Sequence, residues 1–355
     1  MRVEATLGDA PWDAIPRIAR AIEQLGFDSI AQPELRRDPF LPLVLAATTT
    51  VRVRLVTAVA LAFPRSPMAM AYTARSLYDL SRGRFVLGLG TQVRGHIERR
   101  FGMAWDSPGP RLREYVQALR AVWDCWQYRT PLTFRGRFYA LTLMTPEFDP
   151  GPSPYGTPRI HLAAVNPYTL QLAGEIANGL RVHPFATPEY TREVIWPNVR
   201  RGAERAGRSL VDFELVAGGF IATGADDSEV LASRERVRHR LAFYGSTRAY
   251  RSVLEHHGWG ELNDTLYRLA AQGRWDDLAM AVPDDVLDAF CIAGTYDTVA
   301  QAIVERLAGL TDTIVFPLPA NLDEPDPRYL AALERLKCAP PAAANRTSRL
   351  DPEPA

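Results

Sequence analysis

The stretch "GRFVLGLGTQ", Gly83 to Gln92, decides between two folds. A short apolar run ends in Gly88 and Gly90, and Thr91 and Gln92 follow. A dinucleotide-binding turn needs Gly-x-Gly-x-x-Gly at the first strand–helix junction, with the helix opening at once. Here the third glycine position is Val93, and "RGHIERRFGMAWDSPGP" intervenes before the next helical pattern. The run is also the fourth strand-like segment of the chain rather than the first. The other reading is the carboxyl end of a barrel strand, the face on which (β/α)8 enzymes build their sites. Gly90 would then admit a flat ligand, with Thr91 and Gln92 offering a hydroxyl and an amide. Glycines that merely relieve crowding inside a barrel are the plain alternative.

Upstream of this stretch, strand-like and helix-like patterns alternate. "RVEATL" (Arg2–Leu7), "FDSIAQ" (Phe27–Gln32) and "RLVTAVALA" (Arg54–Ala62) read as strands. Between the first two, Ile15, Ile18, Ala19, Ile22 and Leu25 recur at helical spacing. Asp38 with Pro39, and Ser66 with Pro67, are helix start signals. Downstream, "RLREYVQALRAVWDCW" is an amphipathic helix and "PLTFRGRFYAL" a small hairpin around Gly136. "RIHLAAV" and "NGLRVHPF" resume as strands, "DFELVAGGFIAT" is the seventh, and "DTIVFPL" the eighth. "CIAGTYDTVAQAIVERLAGL" reads as a turn plus helix, after a mainly helical insertion over about 226–290. Eight strands with intervening helices predict one α/β domain over 1–338, a (β/α)8 TIM barrel with that insertion before the last strand. Residues 339–355, rich in Pro, Ala and charge, are expected to be a disordered tail.

The totals exclude several classes. Across 355 residues the formal charge is zero, which gives no global field for nucleic acid or an anionic membrane. Lys337 is the only lysine, so Schiff-base chemistry would have to use that one residue near the C-terminus. Cys125, Cys291 and Cys338 have neither metal spacing nor disulfide density. His256 and His257 are neighbours on a helix and point apart, a poor metal pair, so no metal is expected. The opening residues lack the apolar core of a signal peptide, and no apolar run reaches spanning length. A cytoplasmic protein is expected.

Three segments together resemble the bacterial luciferase-like monooxygenase superfamily, in particular its coenzyme F420-dependent branch. They are "TAVALAFPRSPMAMAYTARSLYDLSRGRFVLGLGTQ", "PRIHLAAVNPYTLQLAGEIANGL" and "AGTYDTVAQAIVERLAGLTDTIVF". The resemblance runs from about Met1 to Leu336. It implies a luciferase-like barrel that holds the deazaflavin F420 and transfers a hydride to or from a small-molecule substrate. An FMN-dependent monooxygenase using oxygen on the same scaffold is the first alternative, and a barrel that only binds a ligand the second. A homodimer is also implied.

The same resemblance implies particular residues. A non-proline cis peptide lies behind the cofactor ring in this family, and the matching bond is Ala58–Val59. Cofactor contacts map onto Gly90, Thr91 and Gln92, and onto Ala163, Ala164, Val165 and Asn166. The last four lead into a helix whose free N–H groups suit a phosphate, although Asn166 is equally suited to plain capping. The family often has two glycines where Val165 and Asn166 stand. His183 falls on the phosphate side. Many relatives carry a histidine after the second strand, where this chain reads "AQPELRRDPF". Glu34 is therefore the candidate proton-handling group or substrate anchor, with Gln32 a neutral ring contact. A surface ion pair between Glu34 and Arg36 or Arg37 is the bland alternative. His96 is a second candidate acid, against a plain solvated loop.

Overall fold

The computed structural model describes residues 1–342 and Arg346. In chain order its strands are β1 (Arg2–Thr6), β2 (Ser29–Gln32), β3 (Arg54–Thr57), β4 (Ala60–Leu61), β5 (Phe85–Gly90), β6 (Phe134–Arg135) and β7 (Ala140–Leu141). They continue with β8 (Arg159–Ala164), β9 (Gly179–Val182), β10 (Glu214–Val216), β11 (Phe220–Gly224), β12 (Cys291–Thr295) and β13 (Thr313–Val315). One sheet runs in the order β3-β2-β1-β13-β10-β9-β8-β5-β4, and a β3–β5 pairing closes it. Because β3 and β4 are two pieces of one interrupted strand, the result is an eight-stranded parallel barrel with helical crossovers. Among the described residues no helix is long and apolar enough to cross a membrane.

Two compact units divide the chain. One holds Thr6–Ala163 and Glu175–Gly179. Its core is built on helix Pro108–Tyr128, which buries Leu112, Tyr115, Val116, Leu119, Val122, Trp123 and Trp126 along one stripe. Helix Pro67–Leu80 starts as its sequence predicts, with Ser66 Oγ accepting from Ala69 N at 3.2 Å. Asp38 Oδ1 accepts from Phe40 N at 2.8 Å, and helix Phe40–Ala47 begins beyond Pro39. The expected hairpin is the antiparallel β6–β7 pair.

The other unit holds Met1–Ala5, Ala164–Gly174 and the chain from Leu180 onward. Here "DFELVAGGFIAT" is not one strand. Gly218 and Gly219 break it, Gly219 with φ +67°, and only β10 joins the barrel. The second half, β11, leaves and pairs in parallel with β12, from Phe220↔Cys291 to Gly224↔Thr295. "CIAGT" is therefore a strand rather than a turn. Its pattern is short and its partner lies far away in sequence, so local periodicity did not reveal it. Helices Asp227–Gly245, Arg251–His256, Gly260–Ala271, Trp275–Met280 and Asp284–Phe290 lie between β11 and β12.

Beyond Cys338 the chain still packs. Ala339 and Ala342 are buried, Ala342 N donates to Asp312 Oδ1 at 3.2 Å, and Arg346 pairs with the same carboxylate. Those residues depart from the disorder expected of 339–355, because Asp312 offers a buried carboxylate that short-range composition does not register. The rest of that tail, 343–345 and 347–355, lies outside the described residues.

Candidate active site

The interruption between β3 and β4 organises the first unit's carboxyl end. Val56 pairs with Val86, and Ala60 with Leu89. Between those pairs Thr57, Ala58 and Val59 face only Leu87 and Gly88, so one strand carries an extra residue: a β-bulge. The Ala58–Val59 peptide within it is cis. A bulge leaves ladder groups unpaired, and buried backbone groups need partners. Thr57 Oγ1 supplies them toward β5, donating to Gly88 O at 2.8 Å and accepting from Gly88 N at 2.9 Å. On the other flank Ala58 N donates to Gln32 O at 2.9 Å, where β2 ends.

The bulge turns Val59 against β5. A Cβ built on Gly90 would lie 2.8 Å from Val59 Cγ2 and 3.5 Å from Ala163 Cβ. Glycine at position 90 is thus what lets Val59 close against the strand tip. Ala58, Val59 and Ala163 are half-buried there, as are Thr91 and Gln92. Thr91 Oγ1 donates to Gln92 O at 3.0 Å, and Gln92 Oε1 accepts from Val93 N at 3.0 Å. Both side chains are turned onto their own loop.

Gln32 is 1% exposed. Its Nε2 donates to Gly8 O and Pro33 O, each at 3.2 Å, which sets the orientation of the amide. Its Oε1 is buried with no hydrogen-bond partner. An orphaned buried acceptor is costly, on the order of 1–3 kcal/mol. Such an atom suits a ligand N–H or O–H. A ring carrying an imide has such a donor.

Glu34 pairs with neither Arg36 nor Arg37. Arg36 meets Asp9 at 3.5 Å, and Arg37 donates to Ala10 O at 2.9 Å. Instead the buried Glu34 carboxylate accepts from Leu61 N at 2.8 Å and from Arg65 Nη1 at 3.0 and 2.8 Å. Arg65 Nη2 reaches Asp38 Oδ2 at 2.7 Å. Burial lowers the guanidinium's affinity for its proton, but the two carboxylates outweigh it and hold Arg65 above its ordinary range. The sequence alone assigns Arg65 no role. Its signal was a lone arginine inside the apolar segment "LAFPRSP". His96 is exposed on the six-residue helix Arg94–Arg99 and stands outside this network.

The second unit carries the remaining expected contacts. Ala164 is buried and Val165 half-buried. Exposed Asn166 caps helix Pro167–Ile176, its Oδ1 accepting from Thr169 N at 3.0 Å. His183 sits between Tyr244 and Tyr250, with ring centroids at 4.4 and 4.6 Å. Its Nδ1 accepts from Phe185 N at 3.0 Å, a bond only the unprotonated nitrogen can make. Burial, with Arg240's charge second, pushes this imidazole down to about 4. Its stabilising neutral state is lost as pH falls from the unfolded value near 6.5 toward 4, and the loss ends there. Urea unfolding at pH 7 and 5 should show His183→Gln losing less stability than the parent chain. The expected difference is about 1.4 kcal/mol per unit of depression crossed. Equal losses would refute the assignment.

The family profile described as luciferase-like monooxygenase matches residues 1–313. The chain belongs to that family. This luciferase-like chain is 46% identical over 297 residues to an uncharacterized protein of Mycobacterium tuberculosis, covering 84% of this chain and 87% of that one. A second M. tuberculosis protein, provisionally named a coenzyme F420-dependent oxidoreductase, is 30% identical over 329 residues, covering 86% and 92%. Among solved structures, the F420-dependent tetrahydromethanopterin reductase of Methanopyrus kandleri superposes with TM-score 0.75 at 23% identity, covering 96% and 98%. That likeness carries the fold. The luciferase-like protein is accordingly an oxidoreductase on a TIM barrel.

Proposed function

We propose that this luciferase-like enzyme is an F420-dependent oxidoreductase acting on a small organic substrate. The observation that carries the proposal is the closed contact of Val59 with Gly90 at the bulge. Gln32, whose backbone carbonyl accepts from Ala58 N in the same bulge, adds an unpartnered side-chain acceptor. The M. tuberculosis relative named for F420 supports the choice of cofactor. When bound, the deazaflavin supplies or takes up a hydride. Val59 and Gly90 would support one ring face and exclude water from it, and Gln32 Oε1 would accept from the ring imide. In the second unit, Ala164, Val165 and Asn166 lead into a helix start whose backbone N–H groups suit a phosphate. His183 would meet it as a neutral group, not as a cation.

The purified protein should perturb the absorption spectrum of added F420 and leave that of FMN unchanged. If instead it binds FMN, consumes oxygen with the reduced form and ignores F420, the FMN-dependent monooxygenase is the correct assignment.

A further inference from the structure

We infer that Glu34, with Arg65, is a positioning residue that completes the interrupted third strand and thereby sets the cofactor floor. Parallel ladders direct successive N–H groups alternately to the two neighbouring strands. Beyond the bulge, Ala62 N turns to β5 and donates to Gly90 O at 3.0 Å. Leu61 N turns the other way, where β2 has already ended at Gln32. The carboxylate of Glu34, two residues past that end, takes the place of the missing strand carbonyl at 2.8 Å. Thr57 does the equivalent on the opposite flank.

A free glutamate could not hold that place alone, since its two oxygens would draw water or rotate. Arg65 fixes it. Its Nη1 binds both oxygens, Asp38 holds Nη2 at 2.7 Å, and Tyr115 Oη donates to Arg65 O at 3.1 Å. The guanidinium also lies 5.6 Å from the Phe40 ring centroid. Asp38 in turn caps the helix at Phe40. A charge-assisted chain thus runs from a helix start to one backbone N–H of the floor. Both Glu34 oxygens are committed to this clamp. Its role is to fix Ala60 and Leu61, and with them Val59 against Gly90.

This inference rests on the cofactor proposal for its purpose and on geometry for its existence, so the test reads each separately. Glu34→Ala, Glu34→Gln and Arg65→Met are compared with the parent chain by amide hydrogen exchange over residues 57–63 and by F420 and FMN titration. Glu34→Ala and Arg65→Met should speed exchange at Leu61 and weaken cofactor binding by about tenfold, the value of one charge-assisted hydrogen bond. Glu34→Gln keeps a carbonyl oxygen for Leu61 N and should stay within about threefold of the parent, less than one neutral hydrogen bond. A Glu34→Gln chain as fast in exchange at Leu61 and as weak in cofactor binding as Glu34→Ala would mean that an acceptor oxygen at this place is not what completes the strand, and that result overturns the inference. So does unchanged exchange in Glu34→Ala, or faster exchange with unchanged cofactor affinity. A parent chain that binds neither cofactor refutes the proposed function, and also the purpose assigned here to the clamp; exchange at Leu61 still reports whether the clamp exists.

Discussion

Gly90→Ala should weaken F420 binding by more than about tenfold and lower the melting temperature, and Val59→Ala in the same chain should restore both. The added methyl would meet Val59 Cγ2 at 2.8 Å, closer than real side-chain carbons approach. Val59 is β-branched and stiff at χ1, so it cannot swing aside cheaply. Ala163 Cβ at 3.5 Å blocks retreat toward β8. Overpacking of this kind costs typically about 1–3 kcal/mol, and the displaced Val59 would intrude where the ring is proposed to lie. Removing two methyls at position 59 gives the new one somewhere to go. Calorimetry and a cofactor titration on the two single variants and the double one decide the matter. A Gly90→Ala chain that binds and melts like its parent would mean the floor is not built on this contact.

Arg181→Met should destabilise the protein by about 3–5 kcal/mol, the range for removing one member of a buried ion pair. Glu4 on β1 is fully buried, and Arg181 on β9 binds both its oxygens. Without the guanidinium, the carboxylate stays in a place water does not reach. The double variant Glu4→Leu with Arg181→Met should recover most of the loss, because an apolar replacement of a buried pair is often neutral. Denaturant unfolding of the three variants tests both statements. A single variant within about 1 kcal/mol of the parent, the scale of an exposed pair, would show that the site admits water.

Much of this protein could be read from local pattern. Helix Pro108–Tyr128 buries the stripe its spacing predicts, and Ser66–Pro67 opens a helix where such a pair should. Both depend on residues within a turn or two of each other, which is the range over which periodicity and capping operate. The failures share one physical cause. "CIAGT" pairs with a strand more than sixty positions away in sequence. Glu34 ignores two adjacent arginines in favour of Arg65, and Arg346 finds Asp312.

By itself, then, the chain's alternation of apolar periods determined an α/β barrel, and three ordered segments pointed to its family. Only the folded backbone decided what its charged side chains do. From its sequence neighbours Glu34 reads as a candidate acid, and the fold shows its carboxylate accepting from Leu61 N, beyond the end of β2 at Gln32, and from Arg65. Which carbonyl is missing, and which arginine lies within reach, depend on where distant strands end in space. No local spacing encodes that.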